Sequence, residues 1–401
     1  MRRNLFSNTD GKNTVLKRQI IGLCISEGDF SIADLSHELN ASIPTITKLV
    51  SELMAEGFIE DLGKLGTAGG RKPSIYGLSP AAGYFVGVEV RNNQISMAIT
   101  NFKGNVVDYY ENVPCELDNT EAKFKDMCNL ILKKLDKSGI GENEVLAYGF
   151  NFTGRVNHET GYCFSYFISE DRPIVKVLEE NLDCYVYIEN DSRAMAYGEY
   201  ISGIAQNVQN MIFLNVGWGL GMGLILDGKL YYGKSGFSGE IGHFPLLDND
   251  IICRCGKTGC LETGASGSAL KRMMVEKLSS GRSSSLAESF AKGKELTLEN
   301  IIDAALHEDV LAIETIEEVG FTLGKAVAGL INVFNPEIVV IGGVLSTAKD
   351  YLMLPIRSAV NKFSLNIVSK DSTIKYSKLA KRGGAIGACM LSRSRLIGLI
   401  D

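Results

Sequence analysis

A chain of 401 residues exceeds what one hydrophobic core commonly organises, so two or three domains are expected. Its composition, 45% hydrophobic and 22% charged, is that of a soluble globular protein; no apolar run is long enough to span a membrane, and MRRNLFSNTDGKN lacks the apolar centre of a signal peptide, which points to the cytoplasm. The net charge of −6 excludes a uniformly basic nucleic-acid binder, and with nine Lys/Arg against nine Asp/Glu in residues 1–80 any DNA binding there must come from local placement of charge.

The pattern TVLKRQIIGLCIS predicts a helix over 14–26 with Val15, Ile20, Leu23 and Cys24 on its inner face, ended by Glu27-Gly28-Asp29. Ser31 caps a second short helix, IADLSHELN. After the turn at Ala41-Ser42, Pro44 sits in the first turn of a third helix, TITKLVSELMAEG, where a missing N–H costs nothing. On that helix Ile46, Leu49, Val50 and Leu53 share the core face. Ser42, Thr45, Thr47, Lys48 and Ser51 point outward, hydrogen-bonding types with no acid among them, suited to a major groove. Two strand-like runs follow, 58–62 and 74–78, around the basic tip Gly69-Gly70-Arg71-Lys72-Pro73. This is a winged helix-turn-helix over 1–80, with Arg71 and Lys72 placed to reach phosphates or a minor groove; the competing reading is a wing that meets protein.

Residues 79–83 read as a hinge. Beyond it, 84–200 give three antiparallel strands, a helix over 120–138, the buried strand LAYGFNF, a helix over 173–181 and the strand VYIEN. This β-β-β-α-β-α order fits one lobe of an actin-like, ribonuclease-H-like ATPase fold, against which the small-residue helix 383–396 should pack. Residues 201–382 repeat the scheme, from MIFLNVGWGLGMGLILDGKLYYG to the later parallel strand in PEIVVIGGVLS. Two such lobes are expected to face each other across a ligand cleft.

Within the second lobe lies the loop 235–267. His243, Cys253, Cys255 and Cys260 offer one imidazole and three thiols, with Gly242, Gly256 and Gly259 to let the backbone fold back. Four protein ligands make a closed, structural Zn2+ site, a better account of Cys-x-Cys-Gly-x-x-Gly-Cys than buried apolar thiols. The other cysteines, at 24, 115, 128, 163, 184 and 389, do not form a disulfide framework. A metal that fixes the loop would also fix Glu240 and Glu262, a pair of acids suited to a hydroxyl-rich ligand. Asn190 and Asp191 end the strand VYIEN, where Asp191 either orients a ligand hydroxyl or caps the next helix.

Glu-x-Gly-His, the spaced cysteines and Cys-Leu-Glu resemble the signature of the ROK family (repressors, open reading frames and sugar kinases), and the resemblance extends over nearly the whole chain. It implies that Asn190, Asp191, Glu240, His243 and Glu262 bind a sugar, with Asp191 the general base if the chain is a kinase. It also implies that the winged domain belongs to the regulator branch, that of xylose- and N-acetylglucosamine-type repressors. Two departures weigh against phosphoryl transfer. The kinase loop Asp-x-Gly-Gly-Thr-Lys is here Glu89-Val90-Arg91-Asn92-Asn93-Gln94, and Gly-Thr-Gly is here Gly217-Trp218-Gly219. The expectation is a non-enzymatic, sugar-responsive repressor acting as a homodimer or dimer of dimers on operator DNA, with a sugar or sugar-phosphate effector; the alternative is an ATP-dependent sugar kinase.

Overall fold

The computed structural model describes residues 11–64, 73–91, 93–118, 120–164 and 172–400. The chain divides into two compact units, residues 1–190 with 384–401, and residues 191–383.

The first unit opens with α1 (Lys12–Ser26), β1 (Phe30–Ser31), α2 (Ile32–Glu38), α3 (Ile43–Ala55), β2 (Ile59–Lys64) and β3 (Ser74–Leu78), the strands ordered β1-β3-β2 and antiparallel. Ser31 and Asp34 close a reciprocal capping box on α2, and Ser42 caps α3 with Pro44 in its first turn, so the backbone donors at both helix starts find partners. Ile46, Leu49, Val50 and Leu53 are all buried. Val15 is not: it is 45% exposed, and Ile20, Ile21 and Cys24 form the buried stripe of α1. Five positions on a helix turn through about 140° relative to Ile20, which carries Val15 away from that stripe.

The segment expected to be a hinge is packed instead. The Ser79 N–H donates to the Phe58 carbonyl at 2.9 Å, Ala82 is buried, and Gly83 takes φ +152° with Leu146 so close that an added Cβ would lie 2.6 Å from its Cγ. Phe58 packs at a tilt against Phe102 (5.4 Å between centroids) and Lys103 reaches Asp29 at 3.7 Å, so the winged part is docked on the body of its unit.

That body continues with β4 (Tyr84–Arg91), β5 (Gln94–Asn101), β6 (Val106–Pro114), α4 (Glu121–Lys137), β7 (Val145–Phe152), the small hairpin β8 (Val156–Asn157) and β9 (Tyr162–Cys163), α5 (Ile174–Leu182) and β10 (Tyr185–Asn190). Among the described residues the main sheet is β10-β7-β4-β5-β6, with β7 parallel to both β4 and β10. Every residue of β7 is buried, as a strand covered on both faces should be.

The second unit comprises α6 (Asp191–Ser202), β11 (Met211–Val216), β12 (Leu220–Leu226), β13 (Lys229–Leu230), α7 (Gly267–Ser279), α8 (Ala287–Ala291), α9 (Leu298–Leu306), α10 (Val310–Phe334), β14 (Ile338–Gly342), α11 (Asp350–Phe363), α12 (Asn366–Ser369) and β15 (Thr373–Tyr376). Its sheet is β13-β12-β11-β14-β15, with β11, β14 and β15 parallel. Helix α6 lies against β12 because Gly223 carries no side chain: a Cβ there would stand 2.4 Å from that of Ala196. The chain then ends in α13 (Gly383–Ile397), which from Gly384 onward belongs to the first unit. Gly87 of β4 and Gly149 of β7 let it approach, since a Cβ at either would lie 2.0 and 2.2 Å from the Ala385 and Ala388 carbonyl oxygens. No described helix is long and apolar enough to cross a membrane.

Candidate functional site

The loop between β13 and α7 gathers His243, Cys253, Cys255 and Cys260 so that their ligand atoms all lie within 4.8 Å of one another. Tight turns make this possible. Gly256 and Gly259 adopt φ +85° and +74°, and the Cys253 carbonyl accepts from the Gly256 N–H at 2.8 Å. Cys253 Sγ is 3.5 Å from His243 Nδ1 and Cys255 Sγ is 3.6 Å from Cys260 Sγ. Ordinary zinc bond lengths in a tetrahedron require S···N near 3.5 Å and S···S about 3.8 Å, so these two pairs match a tetrahedral ion and the rest of the set would close on it by at most about 1 Å. Burial, then the neighbouring Cys255 and Cys253, push the Cys260 thiol up to about 12, whereas the Lys257 backbone N–H holds Cys255 below the usual thiol range. A divalent cation at the centre of the cluster would reverse the first effect, because a coordinating thiol is deprotonated.

The carboxylates beside this loop differ from one another. Glu240 is half-exposed, and its Oε2 lies 3.7 Å from His243 Nε2, on the imidazole edge turned away from the sulfurs. Glu262 is 5% exposed and held within the protein: its Oε2 accepts from the Leu220 N–H at 3.0 Å and its Oε1 is 3.3 Å from Arg254 Nε. Asn190 ends β10, where its amide donates to the Gly154 carbonyl at 2.8 Å. Asp191 begins α6 and accepts from the Ser192 N–H at 2.7 Å and hydroxyl at 3.2 Å. The structure thus joins Glu240 to His243, and Glu262 to Cys253 at 4.0 Å, within the second unit. A surface cavity of about 1030 Å3 in that unit is lined by Asn249, Thr263, Arg272, Glu276 and Phe321 among others, and by none of the five residues expected to bind sugar.

The turn between β11 and β12 has most of its backbone groups engaged. Gly217 N–H donates to the Gly219 carbonyl at 3.1 Å, while the carbonyls of Gly217 and Trp218 accept from Gly267 and Ser268 at the start of α7. Gly219 is bare because Glu262 stands 2.7 Å from where its Cβ would be, and Gly221 because Ser192 does the same at 2.1 Å. In the first unit, Arg91 folds onto Glu89 with Nη2 2.8 Å from Oε1, so the carboxylate at the first turn faces an arginine of its own strand; Asn92 lies outside the described residues.

The sequence profile of the ROK family matches residues 85–395. The chain belongs to the ROK family. It is 29% identical over 394 residues to a xylose repressor of Caldicellulosiruptor bescii, covering 96% of this chain and 98% of that one. It is 30% identical over 315 residues to a glucokinase of Halalkalibacterium halodurans, which spans 78% of this chain and 96% of the enzyme. The crystal structure of a ROK-family transcriptional regulator, a homologue of the E. coli Mlc protein, superposes with a TM-score of 0.82 at 26% identity, over 96% of this chain and 97% of that one.

In this chain the winged part and the body are continuous, and α3 shows how its outer face is built. The Thr47 hydroxyl donates to the Ile43 carbonyl and the Ser51 hydroxyl to the Thr47 carbonyl, both at 2.8 Å, and Ser42 and Thr45 bond each other. The Thr47 and Ser51 hydroxyls thus offer lone pairs outward, the Ser42–Thr45 pair keeps one proton to donate, and Lys48, 3.8 Å from Glu52, adds a cationic donor to that face. Arg71 and Lys72 lie outside the described residues. Sequence reasoning passed over Arg254, whose position between two metal-type cysteines was the available signal. It also passed over the buried pair Glu189–Arg395, Nη2 to Oε2 2.8 Å, for which a basic residue in a small-residue helix gave only a faint one.

Proposed function

We propose that this ROK chain is a sugar-responsive transcriptional repressor that binds operator DNA through its winged helix-turn-helix and a sugar or sugar phosphate through its body, without phosphorylating it. The observation that carries this reading is the extent of the likeness: the repressor relative is matched over 96% of this chain, the glucokinase over only 78%. The Glu89–Arg91 pair supports the absence of phosphoryl transfer, because the magnesium of a triphosphate needs a carboxylate turned toward it.

In this proposal Asn190, Asp191, Glu240, His243 and Glu262 form the sugar site, and Ser42, Thr45, Thr47, Lys48, Ser51, Arg71 and Lys72 the DNA-facing set. His243, Cys253, Cys255 and Cys260 hold a structural Zn2+, with Nδ1 of His243 on the metal side and Nε2 toward Glu240. Two copies pair about a two-fold axis in the cytoplasm, since one winged helix reads only a half-site.

The test is a gel shift with the promoter duplex of the gene encoding this chain, across salt and with D-xylose, D-glucose and N-acetylglucosamine. Salt-sensitive binding altered by one sugar is expected. The glucokinase likeness keeps a kinase reading in play. A coupled assay for ADP release decides it: turnover abolished by Asp191→Asn would overturn the non-enzymatic reading.

A further inference from the structure

Buried charges are costly unless paired, and an apolar pair of similar size would commonly serve stability as well or better. The first unit nevertheless buries Arg395 and Glu189, with side chains 5% and 2% exposed, and Arg393 two positions earlier on α13. Their contacts run between two places of functional interest. Glu189 Oε1 accepts from the backbone N–H of Asn190 at 2.8 Å, and Oε2 accepts from Arg395 Nη2 at 2.8 Å. Arg395 Nη1 also donates to the Ile188 carbonyl at 3.0 Å, so the guanidinium grips the last residues of β10. Two residues earlier on the same helix, Arg393 Nη1 donates to the Phe102 carbonyl at 3.4 Å. The turn after Phe102 rests on that guanidinium: Gly104 has φ +97°, and a Cβ there would be 2.4 Å from Arg393 Nη1.

The other side of this turn carries the winged part. Phe102 packs on Phe58, the residue leading into β2, and Lys103 meets Asp29, which lies between α1 and β1. Past the end of α13, Leu399 covers Gly22 of α1, where a Cβ would stand 2.6 Å from Leu399 Cδ2.

We propose that Glu189, Arg395, Arg393 and Phe102 are positioning residues that couple Asn190 to the winged helix-turn-helix. The proposal rests on the sugar-responsive reading and says how that response travels. A ligand held by the Asn190 side chain shifts the end of β10; the Glu189–Arg395 pair follows, because its two charges cannot separate in a buried setting without large loss. The last turn of α13 moves with Arg395 and takes the 102–104 turn with it. The seat of Phe58 and Asp29, and hence the set of α3, changes. Coupling of this kind is a difference in ligand affinity between two arrangements, so the duplex must alter sugar affinity by the same factor.

The experiment uses the full chain, zinc-loaded, with the promoter duplex and whichever of D-xylose, D-glucose and N-acetylglucosamine alters wild-type binding. Arg395→Lys keeps the charge and loses the two-pronged grip, and Phe102→Leu keeps the apolar volume and loses the ring contact with Phe58. Sugar affinity and duplex affinity are each measured alone, and then duplex affinity at saturating sugar. Both variants are expected to bind either partner alone much as wild type does, while the sugar-induced change in duplex affinity falls from the roughly 5- to 150-fold usual for such coupling toward unity. A variant that keeps the whole sugar response, or that loses duplex binding with and without sugar alike, overturns the relay. A wild type with no response to any of the sugars sinks the repressor reading as well, so the two failures are told apart.

Discussion

Two stretches of the second unit promise small-molecule or metal chemistry and turn out differently. Between 243 and 260 a donor set converges: one imidazole and three thiols within 4.8 Å of one another, two of the pairs at spacings a tetrahedral ion requires. Between 217 and 223 four glycines alternate as a phosphate cradle would, yet Gly219, Gly221 and Gly223 are bare because Glu262, Ser192 and Ala196 occupy the space beside them. The difference lies in what each residue type commits to. A cysteine or histidine carries its chemistry wherever the backbone brings it, so a cluster of them narrows the options. A glycine carries only permission, and close packing uses that permission as readily as an anion does.

The first way to break the contrast is to remove a thiol. Cys255→Ser is expected to abolish stoichiometric zinc and to lower the melting temperature more than any other change considered, since binding of structural zinc amounts to roughly 10 kcal/mol or more in zinc-finger peptides. Metal analysis and a thermal scan check it, with Cys184→Ser as the control outside the cluster. A Cys255→Ser chain that retains one zinc per protomer would show that the convergence has another purpose.

A smaller effect comes from a second convergence. Asp309 caps α10 through the Ala312 N–H at 2.9 Å while its other oxygen accepts from the Ser285 N–H at 2.6 Å and from the hydroxyls of Ser284 and Ser285. Burial works against the charge, but these donors prevail and hold the carboxyl below its ordinary range. Asp309→Ala should therefore cost about 3 kcal/mol, a cap plus stranded buried donors. A depressed folded-state pKa means that this contribution is present above the unfolded value near 4 and fades as pH falls through the folded one. Urea titrations of wild type and variant should converge toward acid; curves that stay apart would mean Asp309 is not the charged cap it looks to be.

Much of this was legible before any coordinates. Periodicity gave α3 and its buried Ile46, Leu49, Val50 and Leu53, and a largely apolar run, interrupted only by Asn151, gave β7, because a helix stripe and a doubly covered strand leave strong local patterns. The grouping of His243, Cys253, Cys255 and Cys260 was legible for the same local reason. What escaped is nonlocal: the docking of Phe58 on Phe102 across what reads as a hinge, the Glu189–Arg395 pair more than 200 residues apart in sequence, and the bonding of Glu262 to the backbone of Leu220. None of these leaves a mark within one window of sequence, since each partner alone is an ordinary aromatic, base or acid.

Gly223→Ala and Trp218→Thr sharpen the contrast from its glycine side. If Gly223 serves packing, its new methyl meets Ala196 Cβ at 2.4 Å and the Ser192 carbonyl at 2.9 Å, and stability should fall by about 2 kcal/mol with no nucleotide present. An unchanged melting temperature would hand the glycine back to a ligand. Trp218 is the opposite case, 56% exposed with Lys271 Nζ 5.7 Å from its ring centroid, so Trp218→Thr should shift stability by less than about 0.5 kcal/mol. The variant supplies the hydroxyl that the resemblance to the ROK kinases implies for this turn. If the missing threonine were all that separated this chain from a kinase, the substitution would bring ATP binding with it. Because the Gly217 N–H is already bonded to Gly219 and Glu89 is paired with Arg91 at the first turn, calorimetry with MgATP is expected to remain flat. Measurable binding would mean that the turn opens more readily than its hydrogen bonds imply, and that the glycines were a nucleotide cradle after all.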